Sequence, residues 1–184
     1  MADEGDDVER FRATSGRVMG TIGLVLVAAV IVLGLVSGVR QALDGLVPGC
    51  LLAALVIWVV LLRPAVRAEG DDLVLRGSLD ERRIPFASIE RVSVGVVLAV
   101  RAGGRRYTNT AVGRTRRESA RDDRVGTDLA RRSYGAYVES RLEKLVDDAR
   151  AAGLPEGDVR RSWARPEIAG LVALTLLLAV TVLL

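Results

Sequence analysis

Seven arginines fall within the stretch 105–124: Arg105, Arg106, Arg114, Arg116, Arg117, Arg121 and Arg124. The guanidinium is permanently charged, and its planar fork matches phosphate oxygens bidentately. This cluster is therefore the chain's candidate contact for anionic phospholipid headgroups, where each basic side chain close to a negative bilayer contributes about 1 kcal/mol. Glu118, Asp122, Asp123 and, just beyond, Asp128 cancel much of that charge. The competing reading is a solvated, partly self-neutralised loop, and any attraction is expected to be weak and salt-sensitive. The spacing outlines no pocket for one particular headgroup.

Other chemistry has little to work with. The chain of 184 residues contains no histidine, which removes His-based triads, His-bearing zinc sites and histidine pH switching. Its single cysteine, Cys50, excludes an intrachain disulfide and sits in an apolar run, where it reads as a small packing residue. Asp71-Asp72 and Asp122-Asp123 are adjacent acidic pairs, of the kind that usually face water in turns. No HExxH, GxSxG or P-loop occurs. The expectation is a non-enzyme with no cofactor and no metal. Nucleic acid is not an expected partner either, because the basic stretch lacks a recognition-helix signature and has few aromatics for base stacking.

The charges segregate, although half of all residues are apolar and 27% are charged. Three stretches have almost no charge: 18–39, 45–62 and 167–184. A helix rises 1.5 Å per residue, so about 20 residues cross a hydrocarbon core of about 30 Å. The first stretch is read as a retained transmembrane helix. Its preceding segment holds five acids and three arginines, which is not the positive flank of a signal peptide. The second spans if its Pro48 end reaches the interface. The third is short, with Trp163 and Arg165 as interface anchors and Pro166 suited to a first helical turn. Gly34-x-x-x-Gly38 and Gly45-x-x-x-Gly49 are a faint hint of close helix approach.

Arginine counts give the orientation. The loop between the first two spans, Arg40–Asp44, carries one arginine, whereas residues 63–165 carry 22 basic residues against 16 acids. The expected protein is multi-pass in the cell membrane, with the tail 1–17 and the central domain cytoplasmic.

The central segment, 63–160, changes period part-way. Its first half has short alternating runs broken by turn residues: Glu69-Gly70-Asp71-Asp72, then Gly77 to Glu81, then Gly103-Gly104. Five or six antiparallel strands follow from this, with Leu73 and Leu75 on one face, Val74 and Arg76 on the other, and Pro85 at a strand edge or end. The stretch 114–128 is expected to be a loop, because Val125 is almost its only apolar anchor. Beyond it, Tyr134, Val138, Leu142, Leu145, Val146 and Ala149 recur at helical spacing, predicting an amphipathic helix over 133–152 that starts at Ser133 and stops at Gly153. That helix should lie across one small curved sheet, with Leu142 and Leu145 in the core.

Arg63-Pro64 after the second span, Asp72-Leu73-Val74-Leu75-Arg76, Arg82-Arg83-Ile84-Pro85-Phe86 with Ile89-Glu90, and the turn-strand from Gly103 to Tyr107 together resemble the bacterial pleckstrin-homology-like (PH-like) membrane proteins of actinobacteria. Within that group the chain looks like the subgroup named for the low-molecular-weight protein antigen 6 PH domain. The resemblance covers residues 20–112 and, loosely, the helix after Ser133. It implies a membrane-anchored PH-like β domain, usually without an assigned activity. The expected fold class is three transmembrane helices plus a small antiparallel β (PH-like) domain with one amphipathic helix. The expected function is a non-catalytic adaptor for anionic lipid or for a membrane or cytoplasmic protein partner at the inner leaflet. The alternative is a structural subunit of a larger envelope or transport assembly.

Overall fold

The computed structural model describes residues 8–12, 16–37, 40–125 and 133–183. In chain order they form β1 (Glu9–Phe11), α1 (Arg17–Val36), α2 (Arg40–Ile57), β2 (Ala65–Glu69), β3 (Asp72–Arg76), β4 (Asp80–Pro85), β5 (Ile89–Val94), β6 (Leu98–Ala102), β7 (Arg105–Asn109), α3 (Arg116–Val125), α4 (Tyr134–Ala151), β8 (Arg160–Trp163) and α5 (Arg165–Leu183). The chain divides into two units: Met1–Ser15 with Pro64–Ser162, and Gly16–Arg63 with Trp163–Leu184.

The first unit is mixed α/β, with two antiparallel sheets in place of the single sheet expected from sequence. One has the order β1-β2-β3-β4-β8 and the other β5-β6-β7. A 3-10 turn, Phe86–Ser88, separates β4 from β5 and ends the first meander. The two sheets close on one another through a core that includes Val66, Leu73, Leu75, Ile84, Phe86, Ile89, Leu98 and Val100. Val74 is buried as well, although it faces away from Leu73 and Leu75; its cross-strand neighbours are Arg67 and Arg83. Asn109 ties the sheets together: its Nδ2 donates to the Arg76 carbonyl at 2.8 Å, and its Oδ1 accepts from the Ala111 amide at 2.8 Å.

The strands follow their turns. Gly103 and Gly104 have φ of 55° and 70°, the left-handed pair that a two-residue hairpin with strand-matched twist requires. The register Ala102↔Arg105, Arg101↔Arg106 follows from it. The amphipathic helix α4 begins as its spacing predicts, with the Ser133 hydroxyl accepting from the Ala136 amide. It packs on β5 and the 3-10 turn. Leu142 and Val138 are fully buried, while Leu145 is partly buried against the same cluster.

Three expectations for this unit are corrected. Part of the tail 1–17 is strand β1, which inserts Phe11 into the core. It is held from α4, where Arg141 donates to Glu9 and the Tyr134 hydroxyl accepts from the Arg12 amide at 2.6 Å. β8 adds an eighth strand, with Arg161 paired to Asp80 at 2.9 Å. The third correction is in the stretch 114–128, where residues 116–125 are helical. Thr115 and Glu118 form a reciprocal capping box there: the Glu118 carboxylate accepts from the Thr115 amide at 2.6 Å, and the Thr115 hydroxyl accepts from the Glu118 amide at 3.3 Å. Two satisfied amide donors start a helix that apolar content alone would not.

The second unit is helical. α1 packs against α2 and the π-helical turn Trp58–Leu62 that extends it, and α2 packs against α5. Gly20 and Gly23 are the sites of close approach between α1 and the end of the second helix; a Cβ on Gly23 would lie 3.1 Å from Ile57 Cδ1. Gly45, of the second spaced glycine pair, meets nothing within 4 Å. A buried ion pair, Arg63 Nε to Glu167 Oε1 at 2.9 Å, joins the end of the π-helical turn to the first turn of α5. Arg40–Asp44, expected as the loop between the first two spans, is helical backbone that runs on through Pro48. Proline removes one i→i−4 bond, and the bonds on either side carry the helix past it.

Two helical stretches, Arg17–Val36 and Gly45–Leu62, are long and apolar enough to cross a membrane. α5 is a 19-residue helix over the third apolar stretch. On α1, Val18, Ile22, Val25, Leu26, Leu33 and Val36 are all exposed, and only Gly20 is buried. Together with Met19, Val30, Val32 and Leu35, which are also exposed, they cover more than half of the helix circumference at about 100° per residue, so α1 lacks the polar face that a helix at an aqueous surface normally keeps.

Candidate functional site

The seven arginines of the sequence-derived cluster occupy three different settings. Arg105 and Arg106 project from β7, the edge strand of the second sheet, and both are exposed. Arg114 precedes α3 and is largely buried. Arg116, Arg117, Arg121 and Arg124 lie along α3, where Arg117 and Arg121 are exposed; the side chains of Arg116 and Arg124 lie outside the described residues. Asp128, counted among the neutralising acids, also lies outside them.

Arg114 is the hub of a polar network. Its guanidinium donates to the Val94 carbonyl, to Glu139, and to Asp122 at 3.3 Å. Glu139 in turn accepts from the Val94 amide at 3.3 Å. Asp122 also accepts from both the Ser133 amide, at 2.8 Å, and the Ser133 hydroxyl. One guanidinium thus links the end of β5, the middle of α3 and the first turns of α4. Burial pushes the Asp122 carboxyl up, but the bonds from Ser133 and Arg114 outweigh it, so its pKa lies below the ordinary carboxylate value. On the outer side of α4, burial together with the nearby charges of Glu139 and Asp147 raises Glu143. With its donors engaged in this way, Arg114 serves the fold, and among the described side chains of the cluster the exposed ones are Arg105, Arg106, Arg117 and Arg121.

One member of each acidic pair, Asp122 and Asp72, is held in an ion pair. Asp122 is 6% exposed and committed to the Arg114 network. Asp72 pairs with Arg160 at 3.4 Å, while Asp71 stands in the exposed β2–β3 turn. Among the described residues no cluster of His, Cys, Asp and Glu has the makeup of a metal site. An open groove of about 810 Å³ runs beside the 3-10 turn, with Arg105, Tyr107 and Arg150 facing Glu90, Glu156 and Asp158 along its walls. Its charges are mixed, and the Arg150 guanidinium already donates to the Ile89 carbonyl.

Sequence reasoning missed two basic side chains outside the 105–124 cluster, Arg91 on β5 and Arg101 on β6, which the strand register aligns with Arg106. Half of the signal was readable: a two-residue Gly103-Gly104 turn sets Arg101 opposite Arg106. Arg91 joins them only through an irregularity at Glu90.

Comparison with protein-family models, with curated proteins and with solved structures finds no match.

Proposed function

We propose that this chain is a membrane-anchored, non-catalytic adaptor whose β unit, PH-like in character, works at the inner leaflet. The observation that carries the reading is the contrast between the two units. One presents a broad apolar face of α1 unburied; the other has a core complete in itself. A helix of the first kind is stable where its surroundings are hydrocarbon, and a unit of the second kind needs only an aqueous face. Two antiparallel meanders followed by a helix that packs on the second of them support the PH-like reading. The exposed Arg105, Arg106, Arg117 and Arg121 supply a weak attraction to anionic bilayers. Anchoring raises their local concentration at the surface, so that a weak contact suffices.

The full chain in nanodiscs tests this. Ser119→Cys in a Cys50→Ser background carries an environment-sensitive fluorophore on α3. In discs containing phosphatidylglycerol at low salt, the dye should be shielded from an aqueous quencher, and physiological salt should reverse much of the effect. Changing Arg117 and Arg121 to glutamine should bring quenching to the level seen in neutral discs. Shielding that ignores salt and survives the double change contradicts the charge mechanism. Equal quenching in anionic and neutral discs would shift the role to a protein partner.

A further inference from the structure

We propose that the outer face of the β5-β6-β7 sheet is a binding site for a phosphate monoester, built on a ladder of three arginines. Arg91 lies opposite Arg101, and Arg101 lies opposite Arg106, so one basic side chain stands on each strand at the same level. Residues directly opposite in an antiparallel pair share a face with Cβ atoms about 4.5–5.5 Å apart, and like charges placed there repel. Three consecutive guanidinium groups are thus an unfavourable arrangement for the free sheet and a favourable one around a shared anion.

The neutralising groups within the chain are few. Among the described residues neither Arg91 nor Arg106 has an ion-pair partner, and Arg101 has only Glu90, at 3.3 Å between Nε and Oε2. The register shifts between Ile89 and Arg91, which puts Glu90 on the exposed side next to Arg91. The other Glu90 oxygen accepts from the Gly104 amide at 2.7 Å. Glu143 and Asp147 line a neighbouring groove with Glu90 and Arg91; on the ladder face itself three guanidinium groups meet one carboxylate, a surplus of two that suits a phosphate monoester dianion better than a carboxylate.

Surroundings fit the same ligand class. The next rung is Ser93↔Ala99↔Thr108, with a hydroxyl on either side of a small floor residue. An open groove of about 480 Å³ follows this face, bordered by Arg91, Ser93, Ala99, Arg101, Gly104 and Arg106. That is more room than inorganic phosphate fills, so the organic part of an ester can lie along it. No aromatic side chain stands at either rung, and base stacking has no platform there. Tyr107 belongs to the alternate rung, opposite Val100.

The shared chemistry has two sources, a soluble phosphate ester or a phosphatidic acid headgroup, and the test separates them. The full chain in neutral detergent is titrated with radiolabelled glycerol 3-phosphate. In parallel, it is exposed to mixed micelles containing equal phosphatidic acid and phosphatidylglycerol, and retained lipid is counted by native mass spectrometry. At least one monoester should bind saturably. Glycerol 3-phosphate alone identifies a soluble ligand; phosphatidic acid retained over phosphatidylglycerol identifies a lipid one. Arg91, Arg101 and Arg106 changed together to glutamine should weaken binding at least about tenfold, since each charge-assisted bond lost is worth that order.

The site shares Arg106 with the adaptor reading but uses nothing on α3, so the two are separated by glycerol 3-phosphate: Arg117→Gln with Arg121→Gln should leave its affinity within about twofold. Glu90→Gln keeps an acceptor for the Gly104 amide but removes the competing charge, and should tighten binding, a gain that misfolding cannot mimic. Absence of saturable binding by either monoester would overturn the site. So would equal retention of the two lipids without glycerol 3-phosphate binding, unchanged affinity in the triple variant, or weaker binding by Glu90→Gln.

Discussion

Arg114 is one of seven clustered arginines, yet it should behave unlike its exposed neighbours when removed. Its side chain is 16% exposed and reaches the buried Asp122 carboxylate and Glu139. Arg114→Gln deletes the charge and at least two of three donations. Breaking a buried pair from one side costs roughly 3–5 kcal/mol. Here Ser133 still satisfies Asp122, and Glu139 is more open to water, so about 2–4 kcal/mol is the expected local cost. Hydrogen exchange on the full chain in detergent, read by mass spectrometry, reports it. Opening of the segment 133–152 should become roughly 30- to 700-fold easier, at tenfold per 1.4 kcal/mol. Arg117→Gln, on the exposed face of α3, should change it by less than about twofold. Equal effects from both substitutions, or none from Arg114→Gln, would refute the hub.

Leu142→Ala empties a fully buried position in the core and should cost about 2–5 kcal/mol; Leu145→Ala, at a partly buried position, should cost distinctly less, and exchange over α4 ranks the two. Because the Asp122 pKa is depressed in the folded protein, its contribution is present above the ordinary carboxylate value of about 3.9 and is lost as pH falls through the lower folded value. Protection of the α4 N-terminus, corrected for intrinsic exchange, should therefore fall on acidification below about pH 4, and Asp122→Asn should flatten that dependence while lowering protection at neutral pH.

Much of the fold was legible locally and much of the site was not. The helical spacing from Tyr134 to Ala149 and the Gly103-Gly104 hairpin are short-range signals, and both elements stand where those signals put them. β1 has three residues and one apolar anchor, Phe11; its partners on α4 lie more than a hundred residues away. Two sheets in place of one depend on Asn109 bridging to β3, a long-range contact that alternation does not encode. α3 had a readable start, Thr115-x-x-Glu118, which its arginine-rich and nearly non-apolar composition obscured. Nothing local distinguishes Arg114 from Arg117; only the approach of β5 and α4 turns one into a buried hub and leaves the other in solvent.

Membrane topology is the point on which the whole reading depends. In a Cys50→Ser background, single probe cysteines replace Gln41, between the first two apolar stretches, and Ser119, on α3. Intact cells are treated with a membrane-impermeant maleimide, then permeabilised and treated again. An anchored protein with its β unit at the inner leaflet labels at position 41 from outside and at position 119 only after permeabilisation. Labelling at position 119 in intact cells, or release of the full chain from membranes by alkaline carbonate, would contradict it.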